Sequence, residues 1–287
     1  MFVNLKKILI TAVILIIYSV IDNTAQINKV LFERIGRDQG LIPGNVDDVM
    51  QDSVGFIWMA TENGLCRFDG YNFVYYKNHV HDNSSLSYNH AFSLLEDKNG
   101  IIWVGTLGGG LNKFNSRTGK FKRFMNDANN YNSISNNNVY KVYRDSKKRI
   151  WVSTLGGGLN LFDPVKEIFT RFIHSNKDPN SISSNMVSAL LEDKENNFWI
   201  GTFDAGINLF VEKENKFLHI INDPNKKYSL SHNQVMEFLE DSKGRFWIAT
   251  FGGGVNLFDR TNKKFRNTKS ESNFPLKPDN LNVRRLL

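Results

Sequence analysis

Past residue 30 the apolar positions fall in runs of four to six, broken by Gly, Asn, Asp and Ser, and no stretch keeps a helical periodicity. One unit shows the pattern. Val187-Ser188-Ala189-Leu190-Leu191 is followed by a turn, then Phe198-Trp199-Ile200-Gly201-Thr202 and a glycine-containing turn. Gly206-Ile207-Asn208-Leu209-Phe210 comes next, then a charged turn, Lys216-Phe217-Leu218-His219-Ile220, and a long Asn/Ser/Asp loop. Short runs of β-branched and aromatic residues bounded by turn residues predict strands. The unit recurs, with Trp58, Trp103, Trp151, Trp199 and Trp247 separated by 45, 48, 48 and 48 residues. Six residues before them stand Asp52, Asp97, Asp145, Asp193 and Asp241; three residues after stand Thr61, Thr106, Thr154, Thr202 and Thr250. Glycine triplets at 108–110, 156–158 and 252–254 follow, then Phe114, Phe162, Phe210 and Phe258. The first copy is one residue shorter, running through Asn63-Gly64-Leu65 to Phe68. Four strands at this period predict an all-β chain folded as a β-propeller of four-stranded blades. The five complete blades are expected at about 46–76, 91–124, 139–172, 187–221 and 235–266.

The repeated positions have structural reasons. Gly55, Gly100, Asn196 and Gly244 share one turn position, where a positive φ suits a tight hairpin, and Lys148 is the exception. The aspartate ahead of that turn is expected to cap it, and the tryptophan to fill the space between blades. Two further segments carry parts of the unit. Phe32-Glu33-Arg34-Ile35 resembles the fourth-strand segment Phe121-Lys122-Arg123-Phe124, and Val283-Arg284-Arg285-Leu286-Leu287 matches the first strand at 187–191. The propeller region 30–287 is thus expected to hold five blades and an orphan strand at each end, as the N-terminal part of a longer, seven-bladed ring.

Composition changes this picture little. Of 287 residues 41% are hydrophobic and 23% charged, enough apolar surface for a packed core. The formal charge is +7, but the basic residues are scattered, which speaks against a nucleic-acid partner. Lys6 and Lys7 precede an apolar run from Ile8 to Ile21 and then Asp22-Asn23-Thr24-Ala25, the pattern of a secretory signal peptide over 1–25. The run gives about 21 Å of helix, short of the roughly 30 Å hydrocarbon core, so cleavage is expected over anchoring. Cys66 is the single cysteine and has no disulfide partner within the chain. Its neighbours Leu65 and Phe68 suggest a buried thiol without a function.

Among propeller families, the WD order is absent, and kelch repeats place paired glycines before the tryptophan, whereas here they follow it. The Asp-x-x-Gly-x-x-Trp segments at 52–58, 97–103 and 241–247 look like the Asp-box of sialidases, itself a structural turn. The whole unit fits another family. Ser85-Leu86-Ser87-Tyr88-Asn89, then Leu94-Leu95-Glu96-Asp97-Lys98-Asn99-Gly100-Ile101-Ile102-Trp103-Val104-Gly105-Thr106 and Gly108-Gly109-Gly110-Leu111-Asn112-Lys113-Phe114, resembles the two-component regulator propeller repeat. Departures are Lys148, Asp204-Ala205 in place of two glycines, and the shortened first copy. The resemblance implies a periplasmic sensor of a Bacteroidetes hybrid two-component system. It further implies paired propellers, an immunoglobulin-like domain, one membrane span and a cytoplasmic histidine kinase with receiver and DNA-binding modules, and signalling in response to oligosaccharides as a homodimer. No phosphoacceptor-histidine or ATP-lid motif occurs in the sequence, so catalysis, cofactors and metals are not expected of it.

Candidate contacts lie where loops from the fourth strand and the turns between second and third strands meet the channel. Asn89, Asn137, Asn185 and Asn233 recur there in every copy, which argues for capping. A site must differ between blades, so the candidates are the positions that break the repeat: His90, Asn138, Met186 and Gln234 before the inner strands, with Phe203 and Asp204 in the aberrant turn. An aromatic beside amides would suit a sugar. The six histidines show no zinc-like spacing. Two rival readings are an exported Asp-box hydrolase or lyase, which needs a facing pair of carboxylates, and a scaffold without a ligand.

Overall fold

A computed structural model describes residues 36–97, 100–268, 270–276 and 281–286. The expected signal peptide and the fourth-strand segment at 32–35 lie outside the described residues. Five antiparallel four-stranded sheets follow one another, each with its strands in sequence order. The first holds β1 (Val46–Gln51), β2 (Ile57–Thr61), β3 (Gly64–Phe68) and β4 (Phe73–Tyr76). The second holds β5 (Ala91–Glu96), β6 (Ile101–Thr106), β7 (Gly110–Asn115) and β8 (Lys120–Phe124); the third holds β9 (Val139–Arg144), β10 (Ile150–Thr154), β11 (Gly158–Asp163) and β12 (Ile168–Phe172). The fourth holds β13 (Val187–Glu192), β14 (Phe198–Thr202), β15 (Ile207–Val211) and β16 (Lys216–Ile220). The fifth holds β17 (Val235–Glu240), β18 (Phe246–Thr250), β19 (Gly254–Asp259) and β20 (Lys264–Asn267). The first strands β1, β5, β9, β13 and β17 pack side by side in that order and line the inner side of the blades. Residues 283–286 are in no named strand. With no neighbouring strand to pair with among the described residues, this segment docks through the Val283 amide on the Thr250 carbonyl and the Leu286 amide on Glu237.

The aspartate–tryptophan spacing makes one device per blade. One carboxylate oxygen of Asp52 accepts the amides of Val54, Gly55 and Phe56, and the other accepts the Trp58 indole N–H at 2.7 Å. The same tie joins Asp145 to Trp151 (2.9 Å), Asp193 to Trp199 (2.8 Å) and Asp241 to Trp247 (3.0 Å). Held in this way, each indole packs across the boundary on the next blade. Trp103 meets Phe162 at 5.2 Å, Trp151 meets Phe198 at 4.8 Å, and Trp199 meets Phe246 at 4.9 Å between ring centres. These boundaries are the core; truncating such a ring to alanine costs about 3–5 kcal/mol. Lys148 is no exception in conformation, because its φ of 65° matches that of Gly244 (74°) and Asn196 (62°), a backbone that glycine adopts without strain.

The opposite ends of the blades are stapled through the backbone. Gly108 and Gly110 both donate to the Asn137 carbonyl of the next blade (3.1 and 2.8 Å), and Gly156 and Gly158 do the same to Asn185. The side chain of each such asparagine accepts a loop amide, as Asn137 does from Asn126 at 2.7 Å, so the recurrent Asn is spent on turns. Asn112, Asn160, Asn208 and Asn256 are fully buried, and each is closed by a serine of the incoming loop. The long loops also shield the outer strands: Phe121, Phe169 and Phe217 donate to the carbonyls of Ser84, Asn132 and Asn180. Cys66 stands at the register of these asparagines in the first blade, buried, and burial pushes its thiol up. Among the described residues no helix is long and apolar enough to cross a membrane.

A candidate ligand site in the central channel

Every inner strand opens with a β-bulge. In the second blade Ala91 pairs with Thr106 and Ser93 with Gly105, leaving Phe92 without a partner. The same step leaves out Asp47, Tyr140, Ser188 and Met236. A bulge bends the strand and re-aims its side chains. The contacts below bring the bulged residue or its successor to the channel in blade after blade. The delivered pairs are Asp47-Asp48, Phe92-Ser93, Tyr140-Lys141, Ser188-Ala189 and Met236-Glu237, with Arg284-Arg285 a further 48 residues on.

The rings form one series across three blades. His90 lies 5.9 Å from Phe92, Phe92 lies 4.6 Å from Tyr140, and Tyr140 meets Phe203 edge-on at 5.1 Å. Burial raises the pKa of the Tyr140 phenol, and the charges of Arg285, Glu237, Arg284 and Asp47 all reach it. His90 Nε2 sits 3.0 Å from an Asp47 carboxylate oxygen. Arg285 pairs with Glu237 at 3.1 Å and donates to the Asp47 carbonyl at 2.8 Å, so it joins the fifth blade to the first. Arg284 lies over the Phe251 ring at 5.7 Å. Other members of the pairs fasten the next inner strand: Asp48 accepts the Leu94 amide, Ser93 the Val142 amide, and Glu237 the Leu286 amide.

Because Ser188 and Ala189 are the smallest of the pairs, the wall recedes at the fourth blade. A cavity of about 240 Å³ opens there, bounded by Lys141 and Tyr143 on one side and Met236, Glu237 and Arg285 on the other. A larger cavity of about 510 Å³ lies near the turns between first and second strands, between the third and fourth blades. Most of its charges pair with one another: Arg149 binds Asp145 and Glu212, and Lys147 binds Glu212. It is an ion-pair lattice and a weaker candidate.

The six residues singled out by sequence all lie at one mouth of the channel. His90 and Phe203 join the ring series. The carbonyls of His90, Asn138, Met186 and Gln234 accept the amides of Leu107, Leu155, Phe203 and Phe251, so the main chain at these positions serves the blade edge. The side chains of Asn138 and Met186 are exposed, and Asp204 is exposed at its turn. The bulge pairs carry most of the charge and were missed. Their signal was available, since they vary between copies inside otherwise repeated strands. Among the described residues no group of three His, Cys, Asp or Glu side chains could hold a metal ion.

A family model described as "Two component regulator propeller" matches residues 85–108, 133–156, 181–204 and 229–252, each an incoming loop with the first two strands of a blade. The chain carries two-component regulator propeller repeats. These repeats superpose on the extracellular domain assigned to a hybrid two-component system of B. thetaiotaomicron, with 26% identity and a TM-score of 0.71, covering 82% of this chain and 31% of that one. A histidine kinase of Formosa agariphila is 34% identical over 83 residues, which is 29% of this chain and 6% of that protein. PorZ, a surface component of the type-IX secretion system of Porphyromonas gingivalis, shares the fold at 15% identity and a TM-score of 0.63, over 87% of this chain and 37% of that one. The repeats described here thus span under a third of the hybrid-system domain and a small fraction of the kinase.

Proposed function

We propose that this chain is an extracytoplasmic sensing propeller of a two-component receptor, exported by residues 1–25, and that it takes an oligosaccharide at the channel mouth. The observation that carries the reading is the channel itself. A scaffold repeated blade by blade delivers residues that do not repeat, and they include a continuous series of rings beside hydrogen-bonding groups. A sugar offers hydroxyls and an apolar face to such a surface. The repeats and the hybrid-system domain at 26% identity support the sensor setting. Among the described residues the channel carboxylates are engaged in contacts that suit binding: Asp47 faces His90, Asp48 holds the Leu94 amide and Glu237 holds Arg285. Signalling would run through a shift between two arrangements of propellers or of a homodimer, relayed to the kinase modules of a longer receptor.

Calorimetry of the exported chain against a panel of oligosaccharides tests this. Saturable binding that is lost in Tyr140→Ala, with the circular dichroism unchanged, supports it. Cleavage of a glycan by the purified protein, or no binding across the panel, overturns it.

A further inference from the structure

Each blade sets one side chain of its fourth strand against the loop that enters it, and those side chains do not repeat. Tyr75, Arg123, Arg171, His219 and Asn267 hold the equivalent place, each paired in register with Cys66 or a buried asparagine. In the second blade Arg123 donates to the carbonyls of Asp82, Ser85 and Leu86 at 2.7, 3.0 and 3.2 Å and to the Ser85 hydroxyl at 2.8 Å. Arg171 repeats this in the third blade, on the carbonyls of Asn130, Ser133 and Ile134 at 3.0, 2.8 and 3.3 Å. A planar fork of N–H donors suits such a cluster of oxygens. His219 meets the Ser181 carbonyl at 2.8 Å, and the shorter Asn267 meets that of Ser229 at 3.2 Å.

The four loops from the second blade to the fifth nevertheless share one backbone. The amides of Asp82 and Ser85 bond the carbonyls three residues before them, and so do those of Asn130 and Ser133, Asp178 and Ser181, and Lys226 and Ser229, all at 3.0–3.1 Å. The carbonyls of Lys226, Ser229 and Leu230 therefore stand where two sister loops hold a guanidinium. A cavity of about 240 Å³ opens between this loop and Asn267, space for several water-sized groups. Asp223, Lys226 and Lys227 also line it. Lys226 pairs with Asp223 at 3.0 Å, and Lys227 lies 5.3 Å from the centre of the Tyr228 ring, so both ammonium groups are engaged at the border.

We propose that this cavity is a binding site for a guanidinium group, carried by an arginine side chain of a partner protein or by a small free guanidine. The group donates to the Lys226 and Leu230 carbonyls and faces the Asp223 carboxylate. The molecule supplies the precedent, because the equivalent oxygens receive a guanidinium in the second and third blades. The two bordering lysines keep the affinity low, and selection comes from the fork geometry rather than from charge. The site lies outside the channel and does not rest on the saccharide reading.

Saturation-transfer NMR of the exported chain tests this, with methylguanidinium and with blocked alanine pentapeptides that carry a central arginine or a central lysine. The arginine peptide should bind with a dissociation constant on the order of 1 mM, roughly fivefold or more tightly than the lysine peptide. Asn267→Arg, which supplies the guanidinium from within as Arg171 does, should abolish that binding with the circular dichroism unchanged. Asn267→His, which copies the fourth blade, should weaken it about fivefold and decides the matter where the arginine variant does not fold. In the third blade Arg171→Ala opens the sister cavity, and methylguanidinium should recover part of the melting temperature that this variant loses. Equal binding of the two peptides, unchanged binding in the Asn267 variants, or no recovery in Arg171→Ala overturns the proposal, as does absence of binding by both guanidinium probes. An arginine peptide bound more tightly than methylguanidinium supports a protein segment as the source, and parity or the reverse supports a small guanidine.

Discussion

Replacing Asp193 by alanine probes the carboxylate–indole tie where its surroundings are most demanding. The residue is 3% exposed. One oxygen accepts the amides of Glu195 and Asn197 at 3.0 and 2.9 Å, and the other accepts Trp199 at 2.8 Å and Arg260 at 2.6 Å. Alanine leaves a buried indole N–H and two turn amides to find other acceptors, and an unsatisfied buried donor costs about 1–3 kcal/mol. Arg260 keeps Glu240 at 2.8 Å, so its loss is smaller than that of a cation stranded alone. The sum is roughly 3–5 kcal/mol, the range for breaking a buried pair. Asp193→Asn keeps an oxygen for the turn but turns an N–H₂ toward two donors, and should fall within about 1 kcal/mol of the alanine variant. Asp52→Ala is the control. Its carboxylate makes the same turn and indole bonds at 2.7–3.0 Å, and among the described residues no arginine pairs with it. It should cost about 1–2 kcal/mol less than Asp193→Ala. Urea unfolding followed by both circular dichroism and tryptophan emission measures the differences from midpoints at constant slope. A loss below about 1 kcal/mol in Asp193→Ala, or equal losses at the two sites, would refute the reasoning.

The remaining predictions follow from single positions. Burial alone would raise the pKa of Asp193, but bonds from Trp199, Arg260 and Asn197 outweigh it and hold the carboxyl below its ordinary value. A folded pKa below the unfolded one stabilises above about pH 4 and is lost as pH falls through the folded value; Asp193→Asn should therefore flatten the acid limb of the stability curve, and an unchanged limb would count against the tie. Lys148→Gly relieves a side chain from φ 65° and should stabilise by about 0.5–1 kcal/mol in the same urea assay, with a loss of stability as the contrary result. Gly201→Ala would place a Cβ 2.7 Å from Val235 Cγ1 and should cost about 1–3 kcal/mol, with partial recovery in the double variant carrying Val235→Ala. No recovery would mean that the clash lies elsewhere.

The blades were legible because their devices are local. Asp52 and Trp58 are six residues apart, and both the turn amides and the indole N–H lie within reach of one carboxylate. The triplet glycines and the buried Asn160 likewise serve neighbouring loops at fixed offsets. The channel was only half legible. His90 and Phe203, expected because they break the repeat, stand in the ring series with Phe92 and Tyr140, whereas Tyr140, Lys141 and Arg285 were not expected there. A bulge has no residue signature, so alternation along Val139–Arg144 does not reveal that Tyr140 is left unpaired. Asn138 and Met186 break the repeat too; their carbonyls are occupied at the blade edge and their side chains are exposed. Variation between copies marks freedom from the scaffold, and freedom alone does not distinguish a contact from drift.

The bulge at the head of each inner strand has a consequence for how such proteins diversify. It sets apart, within one strand, positions that vary between copies from most of the residues that build the tryptophan-filled boundaries, Ala189 being shared by both. Exchange at Tyr140-Lys141 can redraw the channel at small cost to folding, because neither residue enters a core cluster, whereas Ala189 packs with Trp199 and Ser188 donates to the Val235 carbonyl of the next inner strand. Preference for a ligand can then evolve faster than architecture, and by small interchangeable steps. Grafting the pairs of one relative onto another should redirect what is bound while leaving the melting temperature nearly in place; a graft that unfolds the recipient would show the two to be coupled.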